Sequence, residues 1–278
     1  MRRRASQNQV AEFPSLTDRC VLVTGGSRGL GRAMALGLLR AGARVTVVST
    51  GPSTQANETI RLAREISPAS HCSLLFGDVS RPDDCTHIVD EALAAFGRID
   101  VLVNNAAIRI DYPGLPFWRM QTADWLKISH TNCDSVFLMS RGVARSMIER
   151  GFGKIINITT NGRTMARENY TPYGPSKTFV EACTRAWAKE LKGSGVTVNA
   201  LLPGGLVDTS TDTDATGAPH GSSLPASVMV EPLLWLAADE SNTVSGERFV
   251  ANRWDTKLPL ATRIEASRES GASEPSIM

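Results

Sequence analysis

A chain of 278 residues accommodates one large α/β domain or two small ones, and 42% hydrophobic with 21% charged residues is ordinary globular composition. The net charge of +2 argues against nucleic acid or an anionic membrane as partner, and no run reaches the ~18 apolar residues of a membrane span. Five scattered cysteines without a C-x-x-C pair read as reduced thiols of a cytoplasmic protein, and the four histidines lack metal-ligand spacing.

In chain order, residues 1–14 read as a solvated tail despite the Arg2-Arg3-Arg4 run, and they lack a signal peptide's apolar core. CVLVT (20–24) is a β-rich run, followed by glycines and a helical stretch from Leu30 to Arg40. ARVTVVS (43–49) reads as a second strand, 58–66 as a second helix, HCSLLF (71–76) as a third strand and 83–96 as a third helix. DVLVN (100–104) and KIINIT (154–159) bracket one long helical segment near 123–150. A helix follows Pro175, then VTVNALL (196–202), a helix near 226–238, and ERFVA (247–251). Continuous apolar strands alternating with helices predict a parallel sheet covered on both faces, in a single domain over 15–260. The polar residues 261–278 read as a frayed tail.

TGGSRGLGRA (24–33) joins the first strand to the first helix and admits three readings. As G-x-S-x-G it would be a hydrolase nucleophile elbow at Ser27, but no HGGG-type oxyanion loop appears and only His220 is well placed to follow an acid. As a phosphate loop it fails, because Arg32 and Ala33 replace the lysine and the magnesium-binding hydroxyl. As a dinucleotide loop, Gly25, Gly29 and Gly31 would let the backbone approach a pyrophosphate at a helix N-terminus. A plain tight turn would also account for these glycines. Asp78 follows the third strand and NNAA (104–107) the fourth, both at the carboxyl edge where open parallel sheets bind ligands. A helix cap and turn-forming asparagines are the competing explanations.

Further on, NITTNGRTMARENYTPYGPSK (157–177) holds two tyrosines, a lysine and a threonine pair. Lys177 lies four residues after Tyr173, so on a helix their side chains share a face. Tyr170 is separated from Lys177 by Pro172 and Pro175, which make a continuous helix between them improbable.

Taken together, TGGSRGLG, GDVS (77–80), NNAA, Asn132 in HTNCDSVFLMSR, NITT (157–160), YGPSK (173–177) and VNALLPGGLVDT (198–209) resemble the short-chain dehydrogenase/reductase family, in its order and over nearly the whole domain. The resemblance implies a Rossmann-like, doubly wound α/β fold with a mostly parallel seven-stranded sheet, and a nicotinamide cofactor. It implies a catalytic tetrad of Asn132, Thr160, Tyr173 and Lys177, with Asn132 anchoring a water that leads protons to Lys177. Cofactor contacts would come from Gly25, Ser27, Arg28, Gly29, Leu30 and Gly31, and from Ser49 and Thr50 at the end of the second strand. Asp78 and Val79 would hold adenine, Asn104 to Ala106 would line the ribose, and Tyr173 and Lys177 would also meet the cofactor. Pro203, Gly204, Val207 and Thr209 belong to the matching motif, the last two near the carboxamide. Two departures stand out: Ala107 where the family usually has glycine, and Thr160 where its serine commonly stands, thirteen positions before the tyrosine.

The chemistry suits these groups. Hydride reduction of a ketone leaves an alkoxide-like oxygen that must be protonated, and a tyrosine with pKa near ~10 is a feeble base for the reverse step. A cation one helical turn away is expected to favour the phenolate; bringing the pKa down to about 7–8 takes about 3–4 kcal/mol. Thr160 would hydrogen-bond the substrate oxygen with the same hydroxyl as serine. The apolar stripe Phe179, Val180, Cys183, Ala186, Trp187 and Leu191 has helical spacing, and the family's equivalent helix often forms a homodimer or homotetramer interface. The second strand ends VVST without a carboxylate, and Arg28 stands in the neighbouring loop, so NADP(H) is expected over NAD(H). A small carbonyl compound or alcohol is the expected substrate, in a pocket expected to be bounded by 107–118, 161–170 and a polar, lid-like stretch at 209–225, and the sequence does not identify it further. A catalytically silent dinucleotide sensor is the alternative from another class, and a hydrolase using Ser27 a distant third.

Overall fold

The computed structural model describes residues 15–109, 114–208 and 223–269. The expected tail at 1–14, Thr209 and the lid-like 209–222 lie outside the described residues.

Strands β1 (Cys20–Thr24), β2 (Arg44–Ser49), β3 (Cys72–Phe76), β4 (Val101–Asn104), β5 (Gly153–Ile158) and β6 (Val196–Leu202) alternate with helices. The helices are α1 (Gly29–Arg40), α2 (Thr54–Ile66), α3 (Pro82–Phe96), α4 (Thr122–Ser129), α5 (Ser135–Arg150), α6 (Gly162–Met165) and α7 (Tyr173–Glu190). Two short strands, β7 (Val207–Asp208) and β8 (Leu224–Pro225), pair with each other; then come α8 (Val230–Ala237), β9 (Arg248–Val250) and α9 (Leu260–Ser267). The main sheet has seven strands in the order β3-β2-β1-β4-β5-β6-β9, every pair parallel. Strands β1, β4, β5 and β6 are buried along their whole length, because helices cover both faces. One core lies under α1, α2 and α8 and contains Met34, Leu38, Leu233 and Trp235. The other lies under α3 and α5, with Ile88, Met139 and Met147. Among the described residues no helix is long and apolar enough to cross a membrane.

Four expectations need correction. The second helix starts at Thr54, a turn earlier than its apolar pattern, because the Ser53 hydroxyl caps the Ala56 amide at 3.1 Å. The long helix over 123–150 is interrupted by a π turn at His130–Asp134. Helix α7 begins at Tyr173, before Pro175, since the first turn of a helix tolerates proline. Residues 261–269 are not frayed: α9 packs Ile264 against the core, and Arg268 bridges to Phe249 on the sheet's edge strand.

Candidate active site

The strand order reverses between β1 and β4, so a crevice opens at their carboxyl ends. Its floor is stitched by two side chains. The Thr24 hydroxyl accepts from the amides of Asn105 (3.0 Å) and Ala106 (3.1 Å), while the Asn105 amide group donates to the carbonyls of Thr24 and Gly25, each at 3.0 Å. Gly25 has φ +62°, and a Cβ on Gly31 would meet the Gly25 oxygen at 2.1 Å. Those two glycines are therefore required by the turn itself. Ala107 keeps a negative φ, so its backbone needs no glycine there.

Helix α1 then starts in the open. Arg28 at its N-cap makes no side-chain capping bond, and no acid occupies the first turn. The first-turn amides and the positive helix end are thus left for an anion. From behind, Arg32 braces the loop, donating to the Ser27 carbonyl (3.0 Å) and to Thr59 (2.8 Å), whose hydroxyl also donates to Ser27 O (2.7 Å). The Ser27 hydroxyl receives the Ser49 hydroxyl at 3.2 Å and bonds to no histidine among the described residues, outside which His220 lies. Arg28 and Thr50 are exposed, and Ser49 is buried.

At the third and fourth strands the expected residues divide. Asp78 spends Oδ1 on the Ser80 amide and hydroxyl, at 3.0 and 2.7 Å, and its other oxygen takes no such bond among the described residues. Val79 is buried beside it. The Asn104 side chain is buried and donates to Ser140 (3.0 Å) and Asn157 (2.9 Å), tying β4 to α5 and β5. Across the crevice, Pro203 accepts from the Asn252 amide at 3.1 Å, Gly204 has φ +86°, and Val207 is buried in the β7–β8 pair.

The proposed tetrad converges on the exit of β5. Lys177 is buried and donates to the Ile158 carbonyl at 2.9 Å, with its ammonium 5.9 Å from the Tyr173 ring centroid. The next residue, Thr159, is also buried and gives its hydroxyl to Glu181 at 2.9 Å. Thr160 follows half-buried, with a hydroxyl that has no partner among the described residues. Tyr170 lies off the helix as a buried wall, packed edge-on against Tyr173 with ring centroids 5.2 Å apart. Asn132 is fully buried in the π turn; it receives the Ile108 amide (2.8 Å) and donates to Ile108 O (3.0 Å) and Ser176 (3.1 Å). That geometry clamps the β4 loop to α7, and none of those bonds goes to Lys177.

The electrostatics overturn one expectation. Burial pushes the Tyr173 phenol up to about 12, with neighbouring Tyr170 adding and Arg109 opposing. Burial likewise takes the Lys177 ammonium down to about 8. Lys177 is not among the groups that shift the phenol. A phenol held protonated is an acid, which suits reduction.

Sequence reasoning missed Thr24, Thr59, Asn105's stitching role, Glu181 and Arg248. Thr24 and Asn105 stood inside matched motifs, but Thr59, Glu181 and Arg248 carry no local signal, since each acts on a partner distant in the chain.

The family profile described as short chain dehydrogenase matches residues 19–218, and the chain belongs to that family of nicotinamide-dependent oxidoreductases. Its relatives include a 3-oxoacyl-[acyl-carrier-protein] reductase of Synechocystis sp., 36% identical over 71% of this chain and 78% of the relative. The corresponding reductase of Salmonella typhimurium is 30% identical over 86% and 97%. A solved candidate gluconate dehydrogenase from Agrobacterium tumefaciens superposes with TM-score 0.74 at 33% identity, covering 85% of this chain and 94% of that one. A candidate short-chain alcohol dehydrogenase from Sinorhizobium meliloti 1021 gives 0.76 at 26% identity, covering 86% and 97%.

Proposed function

We propose that the protein interconverts a ketone and a secondary alcohol, with Tyr173 as the proton donor and acceptor and NADP(H) preferred. The observation that carries this is the convergence of a buried phenol, a buried lysine and an unpartnered threonine hydroxyl on the sheet edge where α1 presents its uncapped N-terminus. Relatives named for reducing a 3-oxoacyl group act on a ketone, which supports that substrate class.

The nicotinamide, when bound, supplies or accepts the hydride. Everything else falls to the chain. Amides of Gly29, Leu30 and Gly31, with Ser27 and Gly25 below, would receive the pyrophosphate. Asp78 and Val79 would hold adenine and the Ala106 backbone the ribose, with Pro203, Gly204, Val207 and Thr209 toward the nicotinamide. Lys177 would hold the second ribose. Thr160 donates a hydrogen bond to the substrate oxygen and holds it near the phenol. Tyr173 then gives its proton as negative charge develops on that oxygen. Asn132 positions α7 through Ser176.

For the coenzyme, no carboxylate ends β2, and Glu58, the first acid after it, is already gripped by Arg61 at 2.8 Å. The Arg28 guanidinium has no partner among the described residues and is free to grip a 2′-phosphate. Free thiols suit a reducing cytoplasm. Phe179, 43% exposed on α7, supports a homodimer or homotetramer, which light scattering checks.

One set of kinetic measurements tests the assignment: a ketone panel with NADPH and NADH in wild type, Tyr173→Phe and Arg28→Ala. Tyr173→Phe should be nearly inactive while still binding cofactor. Arg28→Ala should lose kcat/KM selectively with NADPH, by about 1–3 kcal/mol. Full activity in the phenylalanine variant, or equal loss with both coenzymes in the alanine variant, would contradict the respective assignment.

A further inference from the structure

The exit of β5 is held at three consecutive residues. Lys177 takes the Ile158 carbonyl, and Glu181, one turn further along the same face of α7, takes the Thr159 hydroxyl. Thr160 is held from another element: Arg248 on β9 donates from Nη2 to the Thr160 carbonyl at 2.9 Å and from Nε to Glu181 at 2.7 Å. Both charged side chains are largely buried, at 11% and 15% exposure. The remaining arm of Arg248 pairs with Glu269, whose amide donates to Arg248 O at 2.8 Å. Arg253 takes the second Glu269 oxygen at 3.0 Å. A buried ion pair is seldom a net gain in stability over apolar packing, so its presence here asks for another reason.

We infer that Arg248 is a positioning residue for the reaction: it fixes the Thr160 backbone, and so aims the Thr160 hydroxyl, while Glu181 and Glu269 orient its guanidinium. The inference rests on the role proposed above for Thr160. A forked guanidinium suits the site because its planar donors meet Thr160 O, Glu181 and Glu269 from fixed, different directions, whereas an ammonium is a compact point charge on a flexible stem. Through Glu269 the segment after α9 also bears on the catalytic edge.

A double-mutant cycle on kcat separates aiming from mere support. Arg248→Met should lower kcat by up to about 10²-fold, the scale of a small misplacement of a reacting group, with the cofactor Kd within about twofold of wild type. In a Thr160→Val background, which has no hydroxyl to aim, the same substitution should cost less than about threefold. Losses that multiply in full, or unchanged kcat in Arg248→Met, would overturn the inference. If Arg248→Met does not fold, Arg248→Lys keeps a charge beside Glu181 and should show the same pattern. Hydrogen exchange read on residues 158–162 decides the mount without any substrate: exchange about tenfold faster in the variant supports it, and unchanged protection refutes it. Wild type that turns over no ketone would instead retract the assigned reaction, with exchange still judging the mount.

Discussion

Thr159 and Thr160 are chemically identical and adjacent, yet they have opposite fates. The extended backbone at the end of β5 sends successive side chains to opposite sides. One hydroxyl goes inward to Glu181 and the other is left half-buried without a partner. If the second orients the substrate, Thr160→Ser should keep most activity, whereas Thr160→Val, equal in shape but without the hydroxyl, should lose about 10²-fold in kcat. Equal activity in the valine variant would remove Thr160 from the mechanism. Tyr170 and Tyr173 show the same separation of like residues. The helix boundary puts only Tyr173 on the face of Lys177, and Tyr170 becomes packing.

Elements meet at this site through backbone held very close. Gly31 sits where α1 passes over the β1 turn, with the Gly25 oxygen and the Asn105 amide nitrogen 2.1 and 2.6 Å from where a Cβ would be. Gly31→Ala must therefore push the loop out of register with α1. The expected result is a loss of cofactor affinity exceeding tenfold together with about 1–3 kcal/mol of stability, read by fluorescence titration and by urea unfolding. Wild-type affinity in a folded alanine variant would show that the loop has room to spare. The π turn between α4 and α5 belongs to the same scale. It turns Asn132 inward, where its amide meets both backbone groups of Ile108. A regular helix gives no sign of this in its pattern, so the sequence showed Asn132 only by motif.

At the scale of the molecule, the two cores bury cations as well as hydrocarbon. Lys154 on β5 is 1% exposed, donates to Ser241 at 2.8 Å, and burial pushes its ammonium down to about 8. The unfolded chain keeps that lysine charged to about 10.4. Between these values the unfolded state holds the extra proton, so the contribution of Lys154 to stability rises with pH from about 8 to about 10. Below 8 the fold carries the full cost of a buried charge. Lys154→Met should therefore be more stable than wild type at pH 6–7, and its advantage should shrink as pH rises through 8–10. Parallel pH profiles for the two proteins would mean that the lysine is not desolvated as it lies here. Subtracting the variant matters, because the buried thiols are shifted upward and act in the opposite sense above pH 9.

Much of this architecture is local in origin. Runs such as CVLVT and VTVNALL are apolar on both faces, so they announce buried parallel strands, and their alternation with helices carries the fold class. The glycine spacing, the YGPSK pair and the motif order likewise placed the crevice and nominated its groups. Partner choice was a different matter. Asn104 and Asn105 are alike in sequence, but one turns to Asn157 in the core and the other braces the Gly25 turn. Glu181 and Arg248 are 67 residues apart and meet only because α7 and β9 close on the β5 exit. The Tyr173 phenol also went the other way from what the spacing to Lys177 led one to expect, since burial pushes it up. Periodicity and turn chemistry act over a few residues and are written in order along the chain. Hydrogen-bond pairing and desolvation depend on distances and burial that exist only once the sheet has assembled.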